Sequence, residues 1–209
     1  MIVKFRDNPH LLPTNKAIYE SLMCIQEQPF EKMIKRLLSE PKSSILDQKY
    51  LLNWLQTDDP KEAVSVFKEM RGLGLLKGSK VQSSLLDLAS DEALKACVSE
   101  LSDDACMLAN DQGFHLANVG FAKDHADELA AVAAELHSFH IKRVQRLVSQ
   151  GVASSDTWSI LGHHSSSGLS FRPLHTDHQN FILINKGPAK FNNKGLLNLA
   201  RILMNKYNH

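Results

Sequence analysis

The second half of this chain orders its elements as strand, strand, long helix, strand, strand, strand, helix. That order limits the folds open to it more than any motif does. Ala105-Cys106-Met107-Leu108-Ala109 is a compact apolar strand, Asn110-Asp111-Gln112-Gly113 is turn chemistry, and Phe114 to Val119 returns as a hairpin partner. Thr157 to His163 reads as a strand with Trp158 and Ile160 on one side. Ser165 to Gly168 turns the chain, and Leu169 to Leu174 follows, with Pro173 suited to an edge or strand end. Phe181-Ile182-Leu183-Ile184 is continuously apolar, as a central strand covered on both faces would be. Asn193-Lys194-Gly195 leads into a last helix carrying Leu196, Leu199, Leu203 and Met204. Ahead of the first strand, Ser90 is placed to cap a helix bearing Leu94, Cys97, Val98 and Leu101.

The long helix is expected from Asp124, as N-cap, to about Gln150, stopped by Gly151. Ala126, Leu129, Ala133, Leu136, His140, Val144 and Leu147 recur at steps of three and four and form a stripe able to face a sheet. Ala130, Ala131, Val132 and Ala134 make its other sides small and apolar. Small residues on a second face admit another helix, which makes self-association one reading. Alanine as the best helix former is the other, evenly weighted, reading.

The first ninety residues read as helices. Thr14 caps a helix to about Gln26. Pro29 opens another that Pro41 stops, and Ile45 to Leu55 gives a short third. Asp59 and Pro60 then start a helix with Ala63, Val66, Phe67 and Met70 inside, ended by Gly72 and Gly74. The stretch from Ile45 to Leu76 resembles helix-turn-helix and winged-helix domains. A DNA reader would crowd its second helix with cations, yet Lys61, Lys68 and Arg71 are matched there by Glu62 and Glu69. A packing or protein-binding role is favoured. Lys77 to Ser84 reads as a connector.

Charge and chemistry exclude several classes. The chain carries 24 Lys and Arg against 23 Asp and Glu, a net +1, so no global field selects nucleic acid or a membrane surface. The three cysteines, Cys24, Cys97 and Cys106, are far apart and form no CxxC pair, as expected of buried thiols in a reducing compartment. The start of the chain lacks an apolar signal-like run, and no stretch is long enough to span a membrane, so a cytoplasmic protein is expected. The ten histidines include the pairs His137/His140, His163/His164 and His175/His178, none with a third ligand at metal spacing. No nucleophile elbow or phosphate loop occurs. No catalytic, cofactor or metal site is therefore assigned. His140, polar within an apolar stripe, is the histidine expected to make a buried contact near an interface.

The segment from residue 90 to 207 resembles the roadblock/LC7 (dynein light chain, MglB-like) family. The resemblance is carried by Ala105 to Ala117, by Val119-Gly120-Phe121, by Glu128 to Leu136, by Leu169 to Leu174 and by Asn193 to Leu197. It implies a roadblock-like sandwich (89–209), which with the all-helical N-terminal domain (1–88) read above, outside the family's pattern, makes an α+β chain. In that sandwich a five-stranded antiparallel sheet has the long helix on one face and two helices on the other. It also implies a homodimer in which third strands and long helices meet. Leu129, Val132, Ala133, Leu136, His140, Trp158 and Ile160 are then mixed core and interface residues. The function expected is a non-enzymatic regulatory or scaffold adaptor, without cofactor, that binds itself and a protein partner such as a small Ras-like GTPase or a motility or secretion component. The alternative is a dimeric DNA-binding transcriptional regulator using the N-terminal helices; nucleic acid is the less favoured partner.

Overall fold

Side chains that alternate along buried strands need two cores, one on each side of the sheet. The computed structural model, which describes residues 10–24, 29–42, 47–80, 90–152, 160–161 and 168–207, has this arrangement. In chain order the elements are β1 (His10–Pro13), α1 (Asn15–Met23), α2 (Pro29–Ser39), α3 (Gln48–Leu55), α4 (Pro60–Gly72) and β2 (Leu76–Ser79). There follow α5 (Asp91–Ser99), β3 (Cys106–Asn110), β4 (His115–Val119), α6 (Lys123–Ser149), β5 (Ile160–Leu161), β6 (Leu169–His175), β7 (Asn180–Lys186) and α7 (Lys194–Lys206).

Five strands form one sheet in the order β4-β3-β7-β6-β5, each neighbouring pair antiparallel. On β3, Cys106 and Leu108 enter one core while Met107 and Ala109 enter the other. On β7, Phe181 and Leu183 are divided in the same way from Ile182 and Ile184. α6 covers the second face through Ala126, Ala130 and Ala133. α5 and α7 cover the first through Leu94, Val98, Leu196, Leu199 and Leu203. Pro173 sits past the two residues of β6 that pair with β5, as its missing donor favours.

Caps act where the residue types allow. Thr14, Asp59, Ser90 and Asn193 each accept a backbone N–H at a helix start, from Ala17, Lys61, Ala93 and Leu196. The expected cap at Asp124 is corrected. α6 starts two residues earlier, with Ala122 at the N-cap and no side-chain cap bond. The preceding turn is held instead by Asn118, whose amide exchanges hydrogen bonds with the backbone of Phe121. Asp124 lies in the first turn, where its charge suits the helix dipole.

An all-helical segment 1–88 is also corrected. β1 and β2 pair as a two-stranded antiparallel sheet, His10 opposite Ser79 and Pro13 opposite Leu76. Gly74, at φ +71°, reverses the chain after α4, and Leu75 and Leu76 then turn inward. Thr14 fastens the reversal, its N–H bonding Leu75 O and its hydroxyl donating to Gly74 O. Residues read as a connector thus contain a strand. The remainder of that expected connector, residues 81–84, lies outside the described residues.

One hydrophobic cluster continues from Leu11, Ile18, Leu38, Trp54 and Phe67 through α5 and α7 to the sheet. α1 is joined to the segment before α7 by Asn15, whose amide donates to the carbonyls of Phe191 and Asn193 at 2.8 Å each. Tyr19 stacks on Phe191 with ring centroids 4.7 Å apart.

Candidate interaction surface

The outward face of α6 is built by its own period. Ala126, Ala130, Ala133, His137 and His140 recur at steps of four and three and are buried. Leu129 and Leu136 lie on the flank, partly buried against the same core. The stripe facing the sheet is therefore rotated from the expected one: Ala130 and His137 replace Leu129 and Leu136, and Leu147 is exposed. A hypothetical Cβ on Gly113, in the β3–β4 turn at φ +87°, would lie 3.5 Å from Ala131 Cα and 3.7 Å from Ala134 Cβ. Part of the alanine run thus accommodates a hairpin turn of the same chain.

Along the solvent side run Glu128, Val132, Glu135, Phe139, Lys142 and Arg146, all exposed. Acids occupy the first half, cations the second, and two apolar side chains alternate with them near the middle. Val132 is 43% and Phe139 63% exposed, so two apolar side chains stand on the wet face of the helix. No carboxylate follows Glu135 until Asp156, so the division of charge is complete over the helix's second half.

Beside the N-terminal half of α6 is an open groove of about 710 Å³. Phe121, Leu129 and Leu169 supply its apolar wall, and Asp124, Glu128 and Lys186 its charged rim. It lies next to β6, whose other neighbour is the outermost strand, β5. Among the described residues no strand pairs with the far side of β5.

Of the residues expected at an interface, Val132 faces solvent, Leu129 lines the groove and Leu136 lies on the same flank. Ala133 and His140 face the sheet. Ile160 is the first residue of β5, and Trp158 lies outside the described residues.

A polar cluster escaped the sequence reading. His137 and His175 are each 4% exposed, with ring centroids 5.7 Å apart. His175 Nδ1 lies 2.7 Å from Asn180 Oδ1, and Asn180 Nδ2 donates to Asp111 Oδ2 at 3.1 Å. A carboxylate can only accept, so the Asn180 amide nitrogen must face it. Its oxygen then accepts from His175, which places a proton on Nδ1 of that ring. Nδ1 of His137 is buried and makes no hydrogen bond among the described residues. Burial holds the His137 imidazolium pKa below its ordinary value; Asp111 opposes that shift and His140 adds to it. The signal was available, since His137 stands four residues after Ala133 in the buried period, but its partners come from distant strands.

Among the described residues no three His, Cys, Asp or Glu side chains converge as metal ligands would. The His163/His164 pair lies outside the described residues, and His178 is exposed while His175 is buried. Burial pushes the Cys97 thiol up to about 11 and the Cys106 thiol up to about 12, which leaves both unreactive near neutrality. Among the described residues no helix is long and apolar enough to cross a membrane.

No family model and no curated protein matches the sequence. Among solved structures the chain is similar to a roadblock/LC7 domain from Streptomyces avermitilis, at 16% identity and a TM-score of 0.36, covering 56% of this chain and 92% of that one. It is also similar to Myxococcus xanthus MglB, at 13% identity and a TM-score of 0.32, covering 55% of this chain and 84% of that one.

Proposed function

We propose that this protein is a non-enzymatic regulatory adaptor of the cytoplasm. Its C-terminal segment, residues 89–209, is a roadblock-like dimerisation domain, and residues 1–88 form a second domain carried on it. The pair presents a composite surface to a protein partner, such as a small Ras-like GTPase or a motility or secretion component. The observation that carries this reading is the outward line on α6. Two copies of that helix laid antiparallel set the acids Glu128 and Glu135 of one against the cations Lys142 and Arg146 of the other. Val132 and Phe139 then meet near the two-fold axis. Glu128, on that line, also lines the groove beside α6.

Charge exchange tests it. Lys142→Glu with Arg146→Glu makes the line wholly acidic, and Glu128→Lys with Glu135→Lys makes it wholly basic. Each variant alone should be a monomer by light scattering, and an equimolar mixture should form a heterodimer. Homodimers of either variant, or a monomeric wild-type chain at high concentration, would sink the reading.

The rival reading, a DNA-binding regulator, draws on the exposed Lys61 and Lys68 of α4. Asp58, Asp59 and Glu62 are also exposed at the N-terminal end of that helix, where phosphates would have to approach. Retention on heparin with a steep salt dependence would favour DNA over the adaptor.

A further inference from the structure

We propose that His137 and His175 form an acid-sensitive latch that holds the second half of α6 on the sheet, so that mild acid releases this half-helix. His137 is on α6 and His175 at the end of β6, and each ring is almost wholly removed from water. Two buried imidazoles, His137 and His140, follow the alanines that seat the first half of the helix. The first half is thus held by apolar packing, which is indifferent to pH, whereas His137 and His140 are the buried side chains of the second half among the described residues.

The charges around the pair decide the direction. Asp111, at the β3–β4 turn, is joined to His175 through Asn180, and its charge opposes the lowering of the His137 pKa without reversing it. A charge on His137 would sit out of water beside the buried His175 ring, 5.7 Å away between ring centroids, where burial disfavours it. On α6 itself the next groups are His140, which adds to the lowering, and Lys142 and Arg143, which are exposed to solvent. Asp177 and His178 lie in the exposed turn after β6. On β4, His115 is occupied with Asp127, about 15 Å along the helix from His137. The docked state therefore favours neutral His137. A released helix binds more protons below the ordinary histidine value of 6.5, so docking weakens as pH falls through that value and is complete above it.

Because the outward line of α6 is the proposed pairing surface, release would also weaken pairing; that consequence rests on the adaptor reading, whereas the latch does not. The test is amide hydrogen exchange on the full chain at pH 7.5 and 5.5, corrected for intrinsic rates, with light scattering in parallel. Residues 137–149 should exchange at least tenfold faster at pH 5.5 while residues 124–134 stay protected. His137→Gln should remove the difference, and His178→Gln should keep it. Should His137→Gln fail to fold, the wild-type imidazole titration by nitrogen NMR replaces it, with His137 protonation expected to track the exchange onset. Equal protection at both pH values, or loosening that persists in His137→Gln or precedes His137 protonation, overturns the latch. A chain that is monomeric at both pH values but loosens as described overturns the pairing reading alone.

Discussion

The guanidinium of Arg201, in the last helix, donates through Nη2 to the carbonyl of Glu40 at 2.9 Å, across 161 residues of sequence. Asn205, one turn later, donates to Leu38 O at 3.1 Å. The two side chains satisfy carbonyls at and just beyond the end of α2, groups that a helix leaves orphaned. Arg201 is only 2% exposed, so its charge is held inside the fold.

Arg201→Ala should therefore destabilise the chain by about 2–4 kcal/mol, since it empties a buried space and leaves a carbonyl without its charged donor. The measurement is urea unfolding followed at Trp54, which is fully buried, and by far-UV circular dichroism. Because one cluster spans the N-terminal helices, α5, α7 and the sheet, the two probes should move together.

Gly195 lies where α7 crosses the end of α5. A Cβ there would meet Glu100 Cβ at 2.7 Å and Cys97 O at 2.9 Å. Alanine is the better helix former by about 1 kcal/mol, but this position lacks room for a methyl. Gly195→Ala should cost about 1–3 kcal/mol by overpacking. A raised melting temperature would show that the helices can part without loss.

Ala130 and Val132 separate the two faces of α6. Ala130 is fully buried, so Ala130→Leu should overpack the core beneath the helix and cost about 1–3 kcal/mol. Val132→Ala, on the solvent side, should change monomer stability by less than about 0.5 kcal/mol. Equal effects on unfolding, measured in dilute protein, would mean the helix is rotated from the position described.

Lys206 and Asp91 form an ion pair at 2.7 Å between the last turn of α7 and the first turn of α5. The Lys206 hydrogen bond, then its charge, holds the Asp91 carboxyl below its ordinary 3.8. A depressed carboxyl contributes stability above its unfolded pKa and loses it as pH falls through the folded one. Carbon NMR should find Asp91 titrating below 3.8 in the wild type and returning to the ordinary range in Lys206→Met. The pair is exposed to solvent, so the melting temperature at neutral pH should barely move.

Local signals carried much of the secondary structure. Asp59-Pro60, Ser90 and Asn193 mark helix starts because a short polar side chain meets an orphan N–H within three residues. Phe181 to Ile184 reads as a two-faced strand because no polar side chain interrupts it. The rotation of α6 was less legible. Leu129 and Leu136 are the more apolar choice for the sheet, yet Ala126, Ala130 and Ala133 occupy the inner positions. The pairing of β1 with β2, and of His137 with His175, depends on residues far apart in sequence, and periodicity holds no record of such meetings.

By itself, the sequence determined where chain segments start, stop and alternate, since those choices rest on neighbours a few residues apart. Tertiary structure alone decided which face of α6 meets the sheet, which histidines are buried together, and how α7 holds the end of α2. These depend on volume and hydrogen-bond geometry shared between distant segments, and they come into existence only when the segments pack.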